Sequence, residues 1–108
     1  MTVQTLLDSG NYTVYATGTP ARGILKVFCC DLLSIAMGKA PSDSAWVTVM
    51  GNRNTLAVAS LADVSCIILA EGVTMNEQDL AQASEEGIAV LGTELPVFEA
   101  ALQIHGSL

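Results

Sequence analysis

The sequence predicts an α/β protein, a three-layer α/β/α sandwich on a mostly parallel or mixed sheet of about five strands. Three observations carry that reading. Short segments rich in β-branched and aromatic residues alternate with helix-like segments along the chain. Two of the strand-like segments, CIILA and IAVLG, are apolar throughout, as strands buried on both faces of a parallel sheet are. The joints between segments are short and rich in Gly, Asn, Asp and Pro. The 108 residues suffice for one domain with a core of its own and leave no room for two.

Taken in order, VQTLL places Val3, Leu6 and Leu7 at helical spacing, and Gly10 can end that short helix. Tyr12 to Gly18 reads as a strand. GTPARG then turns the chain into a second strand, Ile24 to about Cys30. Asp31 is placed to cap a helix from Leu32 to Lys39, which Gly38, Pro41 and the PSDS stretch close. Ala45 to Gly51 is a third strand, and Asn52 to Asn54 lead into a helix from Thr55 to about Val64. In that helix Ala57, Leu61 and Val64 recur on one face. Cys66 to Ala70 follows as a strand. Thr74 and Glu77 form a T-x-x-E capping box for a helix ending at Gly87. After the strand IAVLG, Thr93 and Pro96 open a last helix with Phe98, Ala101, Leu102 and His105 on one face. There is no internal repeat, low-complexity segment or linker.

Composition excludes several function classes. Eleven acidic residues face four basic ones, Arg22, Lys26, Lys39 and Arg53, and a net charge of -7 repels a nucleic-acid backbone. The low charged fraction, 14%, leaves apolar surface uncovered and favours self-association. MTVQTLLDSG has neither the basic region nor the long apolar run of a signal peptide. No apolar run is long enough to span a bilayer, so no membrane is expected. Three cysteines, an odd number, suggest reduced thiols in a cytoplasm.

Four features invite a chemical reading. Cys29 and Cys30 are adjacent in a strand, so their side chains point to opposite faces and do not share a metal. Cys66 stands alone, no C-x-x-C or H-x-x-x-H spacing exists, and neither metal nor cofactor is expected. GTPARG imitates the start of a P-loop, but Ile24 and Leu25 stand where lysine and a hydroxyl residue are needed, which leaves a turn. GNRN admits two readings: a plain helix cap with a solvated Arg53, or a site for an anionic metabolite or nucleotide at the carboxyl edge of the sheet. In the second, Gly51, Asn52, Arg53 and Asn54 act with Glu71, Gly72 and Thr93 from the next two strand ends. His105, the only histidine, has no nucleophile to serve, and no catalytic residues are assigned. Finally, the helix bearing Leu32, Leu33, Ile35, Ala36 and Met37 is apolar over most of its circumference, which predicts a homodimer interface.

From about Arg22 to Leu102, CCDLLS with its following MG step, AWVTVMGN, LADVSCIILAEG and EEGIAVL together resemble stand-alone DRTGG-domain proteins. The resemblance implies that residues 1–108 form a single DRTGG-like domain, with a fold like the N-terminal domain of HPr kinase/phosphorylase. In CBS-domain pyrophosphatases such domains are non-catalytic and lie at subunit contacts. Stand-alone members occur in anaerobic bacteria, often encoded near iron hydrogenase and NADH-oxidising subunits. Where the family's naming motif is expected, this chain has Ala21 to Lys26, and only Arg22 matches clearly. The P-loop of HPr kinase belongs to another domain, so kinase activity does not carry over. The expected function is therefore a non-catalytic regulatory or protein-interaction domain, homodimeric and cytoplasmic, with a partner in an anaerobic redox or signalling system. A small-ligand sensor is the alternative, and a thiol-based enzyme or carrier is the third reading.

Overall fold

The computed structural model describes residues 1–108 as five helices and five strands. In chain order these are α1 (Val3–Asp8), β1 (Thr13–Thr17), β2 (Lys26–Cys29), α2 (Leu33–Lys39) and β3 (Ser44–Thr48). There follow α3 (Arg53–Ala62), β4 (Cys66–Leu69), α4 (Glu77–Glu85), β5 (Ala89–Gly92) and α5 (Val97–His105). The strands make one sheet in the order β1-β5-β4-β3-β2. β2 to β5 run parallel, and β1 closes the far edge antiparallel to β5, with a register shift between Val14 and Ala16. The expected sandwich is present, and its sheet is mixed.

Alternation along the central strands supplies two cores. Trp46, Ile67, Leu69 and Val90 point to one face and pack with Ala36 of α2, Leu56, Val58 and Ala59 of α3, and Ala83 of α4. Val47, Ile68 and Leu91 point to the other and meet Val3 and Leu6 of α1 and Ala100 and Ile104 of α5. Both faces of β3, β4 and β5 are covered, which is why these strands carry no polar alternation. Each large aliphatic side chain buried this way contributes about 1.5–3 kcal/mol. Consecutive parallel strands are neighbours, so right-handed crossovers lay α2, α3 and α4 on the same face.

Several local expectations are corrected. Asp31 does not cap α2, which opens after Leu32 without a side-chain cap. Its Oδ1 instead accepts hydrogen bonds from Thr48 Oγ1 at 2.7 Å and the Val49 N–H at 2.9 Å. β2 and β3 end side by side, and the buried Thr48 hydroxyl requires an acceptor there. The Thr74–Glu77 capping box does not form: Asn76 caps α4 by accepting from the Asp79 N–H at 2.8 Å, and Glu77 is already helical. β3 stops at Thr48, short of the predicted Gly51. α3 begins two residues earlier than predicted and buries Thr55, Leu56, Val58 and Ala59, leaving Ala57 and Leu61 exposed. Thr55 takes an inward position because its hydroxyl donates to the Met50 carbonyl at 2.7 Å, which satisfies it. In α5 the buried residues are Ala100 and Ile104; of the predicted stripe Ala101 packs half-buried against the core, whereas Phe98, Leu102 and His105 face outward.

Candidate functional site

The carboxyl ends of the parallel strands gather the loops expected to hold a ligand, but the residues divide into two groups. Asn52 is the N-cap of α3, accepting from the Thr55 N–H at 3.1 Å. Arg53 turns to the neighbouring helix, its Nε 3.3 Å from Asp79 Oδ1, and the Asp79 carboxylate is buried beneath it. Gly51 lies so close to the Thr74 carbonyl that any Cβ would collide with it. Asn54 is exposed on the first turn. The GNRN segment is thus committed to joining α3 to α4, and none of its residues lines a cavity.

Gly72 and Thr93 do line one. A cavity of about 240 Å³ opens at the β1/β5 side of the carboxyl edge, bounded by Gly10, Asn11, Tyr12, Thr13, Tyr15, Gly72, Gly92, Thr93 and Glu94. Two backbone bonds stitch its base: the Glu71 N–H donates to the Leu95 carbonyl and the Gly72 N–H to the Thr93 carbonyl, both at 2.9 Å. Glu71 and Gly72 carry φ of 58° and 70°, the left-handed conformation that lets the turn fold back on the loop after β5. A Cβ on Gly72 would stand 2.5 Å from Glu94 Oε2, and one on Gly92 would stand 2.6 Å from the Tyr15 ring. Glycine at both positions seats the carboxylate and the ring directly on backbone. Tyr12 donates from its hydroxyl to Gln103 Oε1 at 3.3 Å. Burial raises the Tyr12 pKa above the usual value for a phenol, with the Cys66 charge a smaller contributor. The sequence offered Gly72, Thr93 and, in the same loop as Thr93, Gly92 and Glu94, but not Asn11, Tyr12 or Tyr15. Those are brought in by β1 pairing antiparallel with β5, and strand order is not written in local periodicity. A glycine closing an otherwise apolar strand was the available signal for Gly92.

The opposite edge of the sheet, β2, is bare and apolar. Of the ten large apolar side chains that stand exposed, six belong to β2's approach or to its flanking helices: Leu25, Leu32, Ile35, Met37, Phe98 and Leu102. Among the residues predicted for an interface, Ala36 is fully buried and Leu33 packs against the core, so only Leu32, Ile35 and Met37 face solvent. A groove of about 340 Å³ runs between β2 and α5, lined by Val27, Cys29, Phe98, Ala101, Leu102 and His105. The two adjacent cysteines separate as the pleat requires. Cys29 opens into this groove, and Cys30 packs on the other face, donating from its thiol to the Leu32 carbonyl at 3.3 Å. Burial, and secondarily the Asp31 carboxylate, raise the Cys29 thiol above its ordinary pKa. Cys66 is wholly buried, and desolvation pushes its thiol up to about 12. Both shifts work against the thiolate form that redox chemistry requires.

No helix is long and apolar enough to cross a membrane. Comparison with protein-family models gives no match, and comparison with curated protein sequences gives none. Among solved structures, the fold is similar to the CBS and DRTGG domains of the regulatory region of Clostridium perfringens pyrophosphatase, a structure complexed with the activator diadenosine tetraphosphate. The TM-score is 0.73 at 17% sequence identity, over 99% of this chain and 47% of that one. The chain therefore spans about half the length of that regulatory region. At this identity the likeness is one of fold alone, a five-stranded mixed sheet with helices on both faces.

Proposed function

We propose that this chain is a regulatory protein-interaction domain that works as a homodimer, with the β2 edge of the sandwich as its contact surface. The observation that carries the proposal is the concentration of exposed apolar side chains on β2's approach, α2 and α5. α2 ends its helical layer: it packs against α3 on one side and has no helix beyond it. A second copy of this acidic chain meets less carboxylate repulsion at this edge than elsewhere. Arg22 and Arg53 are already paired with aspartates, whereas Lys26 on β2 and Lys39 on α2 make no ion pair. The free basic groups thus lie at the apolar edge, and most of the acids responsible for mutual repulsion lie elsewhere. Lys26 on so short an edge strand guards against open-ended strand addition. That leaves side-chain packing, which closes on two copies, as the mode of association.

The regulatory reading is supported by fold likeness to the regulatory region of a pyrophosphatase and by the resemblance to stand-alone DRTGG-domain proteins. The same resemblance supports a further partner in an anaerobic redox or signalling system. Sedimentation of the pure chain at micromolar concentration should give a dimer. Phe98→Glu and Ile35→Glu, each at an exposed site, should return it to a monomer that keeps the wild-type circular dichroism and cooperative unfolding, with its melting temperature lowered only by the loss of association. A wild-type monomer at that concentration overturns the homodimer. Turnover of a nucleotide or phosphoprotein by the pure chain overturns the non-catalytic role.

A further inference from the structure

The cavity at the β1/β5 side lies at the other end of the sheet from the β2 edge, and the dimer leaves it unused. Its chemistry differs from the anion site that the sequence suggests. No Lys, Arg or His lines it, and its one ionisable carboxylate, Glu94, has no cationic partner anywhere in the chain. An anion entering would meet Glu94 and the field of a chain carrying -7. Two aromatic rings, Tyr12 and Tyr15, complete the walls. The negative face of an aromatic ring attracts a cation, and attracts most readily one that is weakly hydrated.

Rings and carboxylate also lie close against neighbouring backbone. Tyr15 rests on Gly92 and Glu94 on Gly72, each closer than a Cβ would permit. Tyr12 is tied to Gln103 through its hydroxyl, and the loop bearing Glu94 is fixed to the 71–72 turn by two backbone bonds. Within that loop the Leu95 N–H donates to Thr93 Oγ1 at 3.2 Å. Binding groups held rigidly lose little entropy when a ligand arrives. At about 240 Å³ the space is smaller than the roughly 300 Å³ at which pockets for drug-sized ligands begin.

From these observations we infer that the cavity binds a small organic ammonium ion, seated against the Tyr12 and Tyr15 rings with its charge answered by Glu94. Choline is a suitable probe. Titrated into the isotopically labelled full chain at constant ionic strength, choline should shift the backbone amide signals of Gly72, Gly92 and Thr93 saturably. Glu94→Gln, which keeps shape and removes charge at an exposed position, should weaken binding at least about fivefold. Tyr15→Leu should weaken it further. No saturable shift up to about 50 mM choline, or an affinity unchanged in Glu94→Gln, overturns the inference. So does an equal response of the same amides to acetate, which would make the cavity an anion site. Because Glu94 lies far along the sheet from β2, sedimentation of Glu94→Gln separates this result from the dimer: the variant should remain dimeric while losing choline.

Discussion

Arg22 shows how one side chain can fix a loop system. Its guanidinium donates through Nε and Nη2 to Asp43 Oδ1 at 3.0 and 2.9 Å, and through Nη1 to Asp63 Oδ1 at 3.0 Å. Nη2 also donates to the Asp63 carbonyl at 2.7 Å. Asp43 and Asp63 both hold left-handed backbone, φ 59° and 60°, so the arginine ties together two turns in a conformation costly for non-glycine residues. The one residue matching the DRTGG pattern therefore has a structural task in this chain. Arg22→Ala should cost about 1–2 kcal/mol, a figure lowered for the solvent exposure of both aspartates. Arg22→Lys should recover less than half, because an ammonium cannot form the fork. Denaturant melts followed by fluorescence of the buried Trp46 would measure both. Cys66 gives a pH prediction. Its folded pKa is raised to about 12, so the folded state keeps the proton while the unfolded thiol releases it near 9. This contribution is intact below about pH 9 and is lost as pH rises toward 12, on the order of 4 kcal/mol in all. Cys66→Ala should flatten that part of the stability–pH curve, measured against wild type by urea melts at pH 8 to 10.

At the scale of elements, legibility followed the source of each signal. Every strand and helix was visible, because apolar runs and turn residues are local. Boundaries and faces were less so, since they depend on neighbours. Of the stripe Ala57, Leu61 and Val64 only Val64, just past the helix, is buried; within α3 the sheet selected Thr55, Leu56, Val58 and Ala59, with a threonine whose hydroxyl finds a carbonyl. Asp31 looked like a cap, but a parallel neighbour offered it two better donors. Five of the nine residues lining the cavity were missed for the same reason: Gly72, Gly92, Thr93 and Glu94 could be read from strand ends, whereas Tyr12 and Tyr15 required knowing that β1 lies beside β5. The turn that leaves β1 is itself demanding. Gly18 has φ 57°, and a Cβ there would collide with the Ala89 backbone. Gly18→Ala should cost about 3 kcal/mol or more, because backbone on both sides must move. A melting temperature within a degree or two of wild type would contradict the close approach.

For the whole molecule, the pairing of β1 with β5 has a kinetic consequence. β2 to β5 form by crossovers between strands adjacent in both sequence and space, each closing a modest loop. β1 can pair only after β5 exists, since Thr13 meets Gly92 across most of the chain. β1 is then the closing stave, added once β2 to β5 have paired. Ala16→Gly in β1 should hasten unfolding and leave the folding rate nearly unchanged, whereas Ile67→Val in β4 should slow folding, as stopped-flow chevrons would show. In the native state β1, bulged and paired on one side, should open to hydrogen exchange before the central strands β3, β4 and β5. Thr13 and Tyr15 of β1, with Gly10 to Tyr12 leading into it, supply more than half of the cavity's lining, so the cavity exists only in molecules whose fold is complete.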